Sequence, residues 1–346
     1  MSRRSLIQTA AAGVAGAVIG AAGMYFAKTV PTTTLGVTTT TAPEEEKPKE
    51  KITIGFGYVI KALPYYKAEF ATKMLKEAGY DVELVYFTPR AVREAFFTRK
   101  AQIASVSAPA IYVQIEQGQD IVAAPNTGIV ELVLVANEKY PDAESLRGKR
   151  IGIGQIGAYE HAAINAYLRE RNIEAEYIQI GESKERANAL LSGRIDAAGL
   201  LLSDALSLLE QKAPVKILDS LHVFWVLNWV YRDWAEENSR FMVDWFKAHI
   251  LFAQWALQYR SRYIEEAIEW MGLEKTEEIR KKQEAVYDWL LDREYFHYIL
   301  APIEEYEILM KWTLDSGEIK SMIPLERFLD LPNKFLEQAF NELMPK

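Results

Sequence analysis

Ile129-Val130-Glu131-Leu132-Val133-Leu134-Val135-Ala136-Asn137 is a nearly unbroken apolar run, and it follows another extended run, Ile121–Ala124, after only residues 125–128. Two parallel neighbours in one sheet need a crossover of about a dozen residues or more. The run 129–137 therefore either turns antiparallel or leaves the sheet that 121–124 belongs to. We read it as the chain crossing from a first lobe into a second.

Upstream of this run, extended and helical patterns alternate. Residues 52–56 read as a strand and 63–78 as a helix stopped by Gly79; 82–87 is a strand, 89–98 a helix and 103–106 a strand. Residues 108–117 then form a helix closed by Gly118, before the strand at 121–124. Strands separated by helices predict a parallel sheet with helices covering it. Downstream the scheme starts again: strands at 149–154, 176–180, 195–200 and 215–218, with helices at 158–170, 182–192 and 203–211. Arg99-Lys100-Ala101-Gln102-Ile103-Ala104 in the first half echoes Gly193-Arg194-Ile195-Asp196-Ala197-Ala198 in the second, each closing a helix and opening a strand. A further extended run at 223–231 reads as the return crossing. Helices at 233–259, 264–271, 276–290 and 302–314 then form a tail expected on the first lobe. The predicted fold class is α/β: two lobes, 52–131 plus 226–346 and 132–225, each a mostly parallel sheet with covering helices. Two hinge crossings join them, and closure about such a hinge traps a ligand between lobes.

Composition narrows the function. The 346 residues carry a net charge of −8 with no long basic run, so there is no electrostatic footprint for nucleic acid. There is no cysteine, which excludes disulfides, thiolate nucleophiles and cysteine-held metal. At the N-terminus, Arg3 and Arg4 precede an apolar, uncharged stretch from 10 to 27. This pattern fits a twin-arginine export signal, and it fits equally a membrane anchor with its arginines on the cytoplasmic side. Either assignment of 1–28 places the remainder outside the cytoplasm, tethered to the outer face of the membrane or exported to the periplasm or cell surface. Residues 29–51 are rich in Thr, Pro and Glu, a composition that buries little and predicts a solvated stalk.

Several motifs suggest chemistry and do not sustain it. Gly152-Ile153-Gly154-Gln155-Ile156-Gly157 has the spacing of a dinucleotide-binding turn, with Glu182 near the end of the next strand. It lies mid-chain behind an export segment, however, with no catalytic domain to match, and the glycines read more economically as a tight turn opening a helix. The four histidines have no metal-binding spacing, and there is no G-x-S-x-G elbow. No catalytic residue, metal or cofactor is expected. Aromatic and hydroxyl-bearing residues at strand ends and crossings are better candidates: Tyr58, Tyr65, Tyr159, Trp225 and Trp229 for ring contacts, with Ser107, Asn126 and Thr127 for hydrogen bonds.

Five stretches occur in an order that resembles the solute-binding proteins of the nitrate, sulfonate and taurine type, a family that also includes binders of thiamine-pyrimidine precursors. They are Leu63-Pro64-Tyr65-Tyr66, Ser107-Ala108-Pro109-Ala110, Ser145 to Gly152, Leu191 to Ala198 and Tyr231 to Asn238. The resemblance implies a periplasmic-binding-protein-like clamshell that captures a small-molecule ligand outside the cytoplasm. Such a protein delivers its ligand to the permease and ATPase subunits of an ABC transporter; it would be a monomer held to the membrane through its N-terminus. It also implies ligand contacts at the head of the second lobe's first helix, here Gly157, Ala158, Tyr159 and Glu160, and after the Asp196-Ala197-Ala198 strand, here Ser203. Where such proteins often have Gly-Ser-Thr-Ala-His, this chain has Gly157-Ala158-Tyr159-Glu160-His161. Two hydroxyls are replaced and a carboxylate arrives, which points away from an oxyanion ligand and toward a neutral or cationic one. A pyrimidine-synthase-like enzyme of the same fold is the alternative, but that family relies on a cysteine-rich segment this chain lacks; a surface sensory module is the other.

Overall fold

The computed structural model describes residues 50–57 and 61–344. The N-terminal segment, nearly all of the stalk, and Tyr58 lie outside the described residues. Among those described, no helix is long and apolar enough to cross a membrane.

The first sheet holds β1 (Ile52–Phe56), β2 (Val82–Tyr86), β3 (Ile103–Ser105), β4 (Ile121–Ala124) and, from far along the chain, β10 (Asn228–Tyr231). Their order is β2-β1-β3-β10-β4. The second sheet holds β5 (Ile129–Asn137), β6 (Arg150–Ile153), β7 (Glu176–Gln179), β8 (Ala197–Leu201) and β9 (Val215–Trp225), in the order β7-β6-β8-β5-β9. In each sheet one strand runs against the rest: β10 is antiparallel to β3 and β4, and β5 is antiparallel to β8 and β9. The run 129–137 thus lies wholly in the second sheet, as its antiparallel strand between β8 and β9.

The burial of β5 explains its composition. Val133 and Val135 pack with Leu190, Leu200 and Val215 on one face, while Leu134 and Ala136 pack with Ile151, Ile164 and Leu168 on the other. Successive side chains point to opposite faces of a strand. A strand covered on both faces is therefore apolar at every position.

Helices α1 (Tyr66–Glu77), α2 (Pro89–Phe97) and α3 (Ala108–Glu116) belong to the first half; α4 (Tyr159–Arg169), α5 (Ser183–Leu191) and α6 (Leu202–Glu210) belong to the second. The tail comprises α7 (Arg232–Glu237), α8 (Ser239–Gln258), α9 (Arg260–Met271), α10 (Glu277–Asp292), α11 (Ile303–Asp315) and α12 (Glu326–Leu343). Helix α8 packs on α1, and α12 packs on α8 and β4, so much of the tail covers the first sheet. Helix α11 differs, since it touches both α3 and α4 and so meets both lobes.

Three elements depart from the sequence reading. The helix expected over 233–259 is broken at Asn238, whose backbone (φ −110°, ψ 34°) leaves the helical region. Helix α12 lies beyond the last tail helix placed from sequence, at 302–314; it carries Pro332 in its interior, a residue that ordinarily stops a helix because it lacks the N–H. Strand β9 runs unbroken from 215 to 225, joining the strand expected at 215–218 to the first part of the run expected at 223–231. Pairing with β5 along its length carries it through, with Asp219 and Ser220 opposite Leu134 and Val133 and with Leu218 and Leu221 skipped at the two register shifts.

Candidate functional site

Open α/β sheets bind ligands beyond the carboxyl ends of their parallel strands. In this protein those ends from both sheets converge where the chain crosses between them. The two crossings run side by side: Thr127 N–H donates to Val226 O at 3.2 Å, and Val226 N–H donates to Gly128 O at 2.7 Å. Between the lobes at this point is a cavity of about 40 Å³, walled by Ser105, Ser107, Tyr159, Phe224, Trp225 and Leu309 among others. That volume holds a few waters at most. The lobes also meet where Arg93 of α2 approaches the Gln155 amide, whose oxygen, with the amide turned toward it, accepts from the guanidinium at 2.8 and 3.1 Å. On another side Arg169 of α4 donates to Asp315 O at 2.7 Å.

The first lobe contributes the β3-to-α3 turn. Ser105 Oγ accepts from Gly57 N–H at 2.7 Å, which ties the ends of β1 and β3 together. Ser107 occupies the position before α3, yet its hydroxyl caps nothing. The Ser107 Oγ is buried and has no hydrogen-bond partner among the described residues. Helix α3 has Pro109 in its first turn and no acidic residue there.

The second lobe contributes the β6-to-α4 turn, which contains the glycine motif. Gly157 adopts φ +78°, a left-handed conformation that costs glycine little. At Gly154 a Cβ would lie 1.9 Å from Glu160 Oε1, so the missing side chain makes room for that carboxylate. Glu160 faces Arg186 at 3.9 Å, and both side chains are mostly buried. The Arg186 guanidinium is otherwise spent on backbone: it donates to Gly199 O at 2.8 Å, to Ile180 O at 3.3 Å and to Gly181 O. A pyrophosphate drawn to this turn would meet Glu160, which removes the dinucleotide reading on electrostatic grounds. His161 Nδ1 accepts from Gly157 N–H at 3.3 Å and its ring lies edge-on to Tyr177; burial pushes its pKa below the usual histidine range.

The crossing and the tail complete the walls. The Tyr159 ring lies 4.4 Å from that of Phe224, centroid to centroid. Trp225 stacks on Tyr295 at 5.9 Å, and its backbone N–H donates to Glu305 Oε1 at 3.2 Å. The other oxygen of Glu305 lies 2.7 Å from His222 Nε2. A buried carboxylate from α11 thus fixes the last turn of β9 that presents Phe224 and Trp225.

Of the residues singled out from sequence, the structure brings Ser107, Tyr159 and Trp225 to one cavity. Others are placed in the first lobe's interior. Trp229 is fully buried among Tyr112, Tyr306 and Phe328, with its indole N–H donating to Val106 O at 2.9 Å. Its alternation with Phe224 and Trp225 is broken by the crossing, which turns it into the core instead of the cleft. Tyr65 is buried with its ring edge-on to Phe56. Asn126 is fully buried, donating to Tyr298 O and Ile299 O and accepting from Lys67 Nζ at 3.0 Å. Thr127 is also buried, and its hydroxyl accepts from Asn228 Nδ2 at 3.1 Å. These two brace the crossing. Ala158 precedes α4, and Ser203 is exposed in the first turn of α6. Phe224 and Leu309 escaped the sequence reading. Phe224 sits beside Trp225 in an aromatic run and was within reach; Leu309 comes from a tail helix with no local mark of a site.

This architecture is the two-lobed periplasmic-binding-protein fold. Residues 65–223 are matched by the family model described as NMT1/THI5 like, in agreement with the family that the five ordered stretches resemble. Among solved structures, a putative periplasmic sulfonate-binding protein SsuA from Methylobacillus flagellatus KT is similar at 17% identity and TM-score 0.58, covering 85% of this chain and 94% of its own. The aliphatic sulphonate binding protein SsuA from Escherichia coli is similar at 17% identity and TM-score 0.54, covering 81% and 92%. The Candida albicans CA3427 gene product, described as having the generic periplasmic binding protein fold, is similar at 12% identity and TM-score 0.58, covering 84% and 95%. No curated protein sequence matches the chain.

Proposed function

We propose that this protein is the extracytoplasmic solute-binding component of an ABC importer, which captures a small organic molecule between its lobes and passes it to a permease and its ATPase. One observation carries the reading: the carboxyl ends of two separate sheets meet at a shared cavity beside paired crossings. The lobe boundaries expected at 131/132 and 225/226 move to the sheet ends: 52–124 with 228–346 and 129–225 are the lobes, hinged at residues 125–128 and 226–227. A cavity of about 40 Å³ admits a solute only when the lobes part. Ser107, Tyr159, Phe224, Trp225 and Leu309 are the contacts in this reading, and the protein is a binder and not an enzyme. The N-terminal apolar segment and the Thr-rich stalk support a tether to the outer face of the membrane.

A solute that binds only the folded protein raises its melting temperature by mass action. The purified full chain is expected to show such a rise with at least one member of a broad panel of vitamins, pyrimidines, sulfonates and oxyanions. A flat response to the whole panel counts against solute binding.

A further inference from the structure

We infer that the cleft takes an uncharged organic solute, hydrogen-bonded to Ser107 and flanked by the rings of Tyr159, Phe224 and Trp225, and that it rejects oxyanions; this rests on the solute-binding reading above. None of the described residues walling the cavity is charged. Among the described residues the buried hydroxyl of Ser107 has no hydrogen-bond partner, whereas that of Ser105 on the same wall accepts from Gly57 N–H. A buried hydroxyl without a partner costs stability, and a ligand that supplies one recovers it.

An anion has two ordinary ways of being held in such a cleft, a cationic side chain or the free N–H groups at a helix start. Neither is on offer in the second lobe. Arg186, the buried cation at that edge, already serves three backbone carbonyls and Glu160. Each helix that begins at the carboxyl end of a parallel strand there carries its own acid: Glu160 in α4, Glu185 in α5 and Asp204 in α6. Helix α5 is closed further by a capping box, in which the Glu182 and Glu185 side chains take up backbone N–H groups reciprocally. Burial, with a smaller push from the neighbouring carboxylates against the pull of Arg186, holds Glu182 above the usual glutamate range. In the first lobe, α3 begins free of acid, but Pro109 removes one of its donors. A cationic solute fares no better, because Glu160 is seated over Gly154 and faces Arg186.

The test is a library of solutes of matched size in three charge classes, uncharged, anionic and cationic, screened on the full chain by thermal shift and followed by calorimetry. Hits are expected in the uncharged class, and Ser107→Ala is expected to weaken their binding by about tenfold while leaving the melting temperature without solute unlowered or slightly raised. Ser107→Thr, which keeps the hydroxyl, restores the affinity. Hits confined to sulfonates or to amines overturn the charge assignment and leave solute binding standing. Uncharged hits that bind Ser107→Ala with full affinity overturn the role of Ser107. No hit in any class overturns solute binding itself, and the charge assignment with it.

Discussion

In the first sheet β10 is inserted antiparallel between β3 and β4, and in the second β5 is inserted antiparallel between β8 and β9. Each lobe thus receives its antiparallel strand at a crossing from the other. The likeness extends to detail. Helix α2 ends with Arg99 N–H donating to Phe96 O and Lys100 N–H to Ala95 O; α5 ends with Gly193 N–H donating to Leu190 O and Arg194 N–H to Ala189 O. These are the same left-handed helix stop, at φ +56° and +70°. The two sheets are nonetheless filled differently. The second is packed with aliphatic side chains on both faces. The first is packed by the tail, through large rings, and it buries a lysine. The difference teaches that one topology has been assigned two tasks: the first lobe serves as the braced scaffold, and the second brings an acid-rich edge to the cleft.

If that contrast holds, its strongest break is Trp229→Ala. The ring touches Tyr112, Tyr306 and Phe328 and so joins the first sheet to the tail. Removing a buried aromatic side chain costs ~3–5 kcal/mol. Equilibrium denaturation should show that loss; a change below ~1 kcal/mol would mean the tail does not brace the first lobe.

The next largest effect concerns Lys67. Its ammonium is buried, donates to Asn126 Oδ1 at 3.0 Å and Tyr298 O at 3.3 Å, and lies 5.0 Å from the centre of the Tyr295 ring. Burial pushes its pKa down to about 7 from the ordinary 10.5. Between those values the unfolded chain binds a proton that the folded protein does not, so this group's contribution to stability rises with pH from about 7 to 10.5 and is lost as pH falls through 7. Lys67→Met is expected to flatten that rise and to gain ~1–4 kcal/mol near pH 6, because a buried charge is replaced by a side chain of similar volume. Parallel pH–stability curves for parent and variant would show that Lys67 is not the source.

The smallest effect tests the repeated helix stop. At Gly193 no atom lies within 4 Å of where a Cβ would sit, so Gly193→Ala meets only backbone strain. The expected cost is ~1 kcal/mol in denaturation experiments. At the matching position, Arg99 bears that strain while its guanidinium stacks 4.0 Å over the Tyr231 ring and pairs with Asp233 at 2.7 Å. Arg99→Gly should therefore change stability by less than the loss of those contacts alone would suggest.

The strands, the helix stops and the existence of two crossings were legible in the sequence because they rest on local rules. Apolar alternation, apolar runs buried on both faces, and glycine at left-handed positions are properties of a few neighbouring residues. Ser107, Tyr159 and Trp225 were legible for the same reason, standing at the ends of elements where a cleft opens. Which rings face that cleft was decided only by the tertiary structure. Trp225 and Trp229 lie four residues apart in one run, yet the break between β9 and β10 sends one to the cavity and the other to the core. Leu309 and Glu305 reach the site from a helix about eighty residues beyond Trp225, and the Arg186 guanidinium is taken up by carbonyls that only folding brings to it. Local patterns depend on short-range sterics and solvent, and a single sequence carries them; the lining and the charge of a cleft depend on long-range packing, which no local pattern encodes.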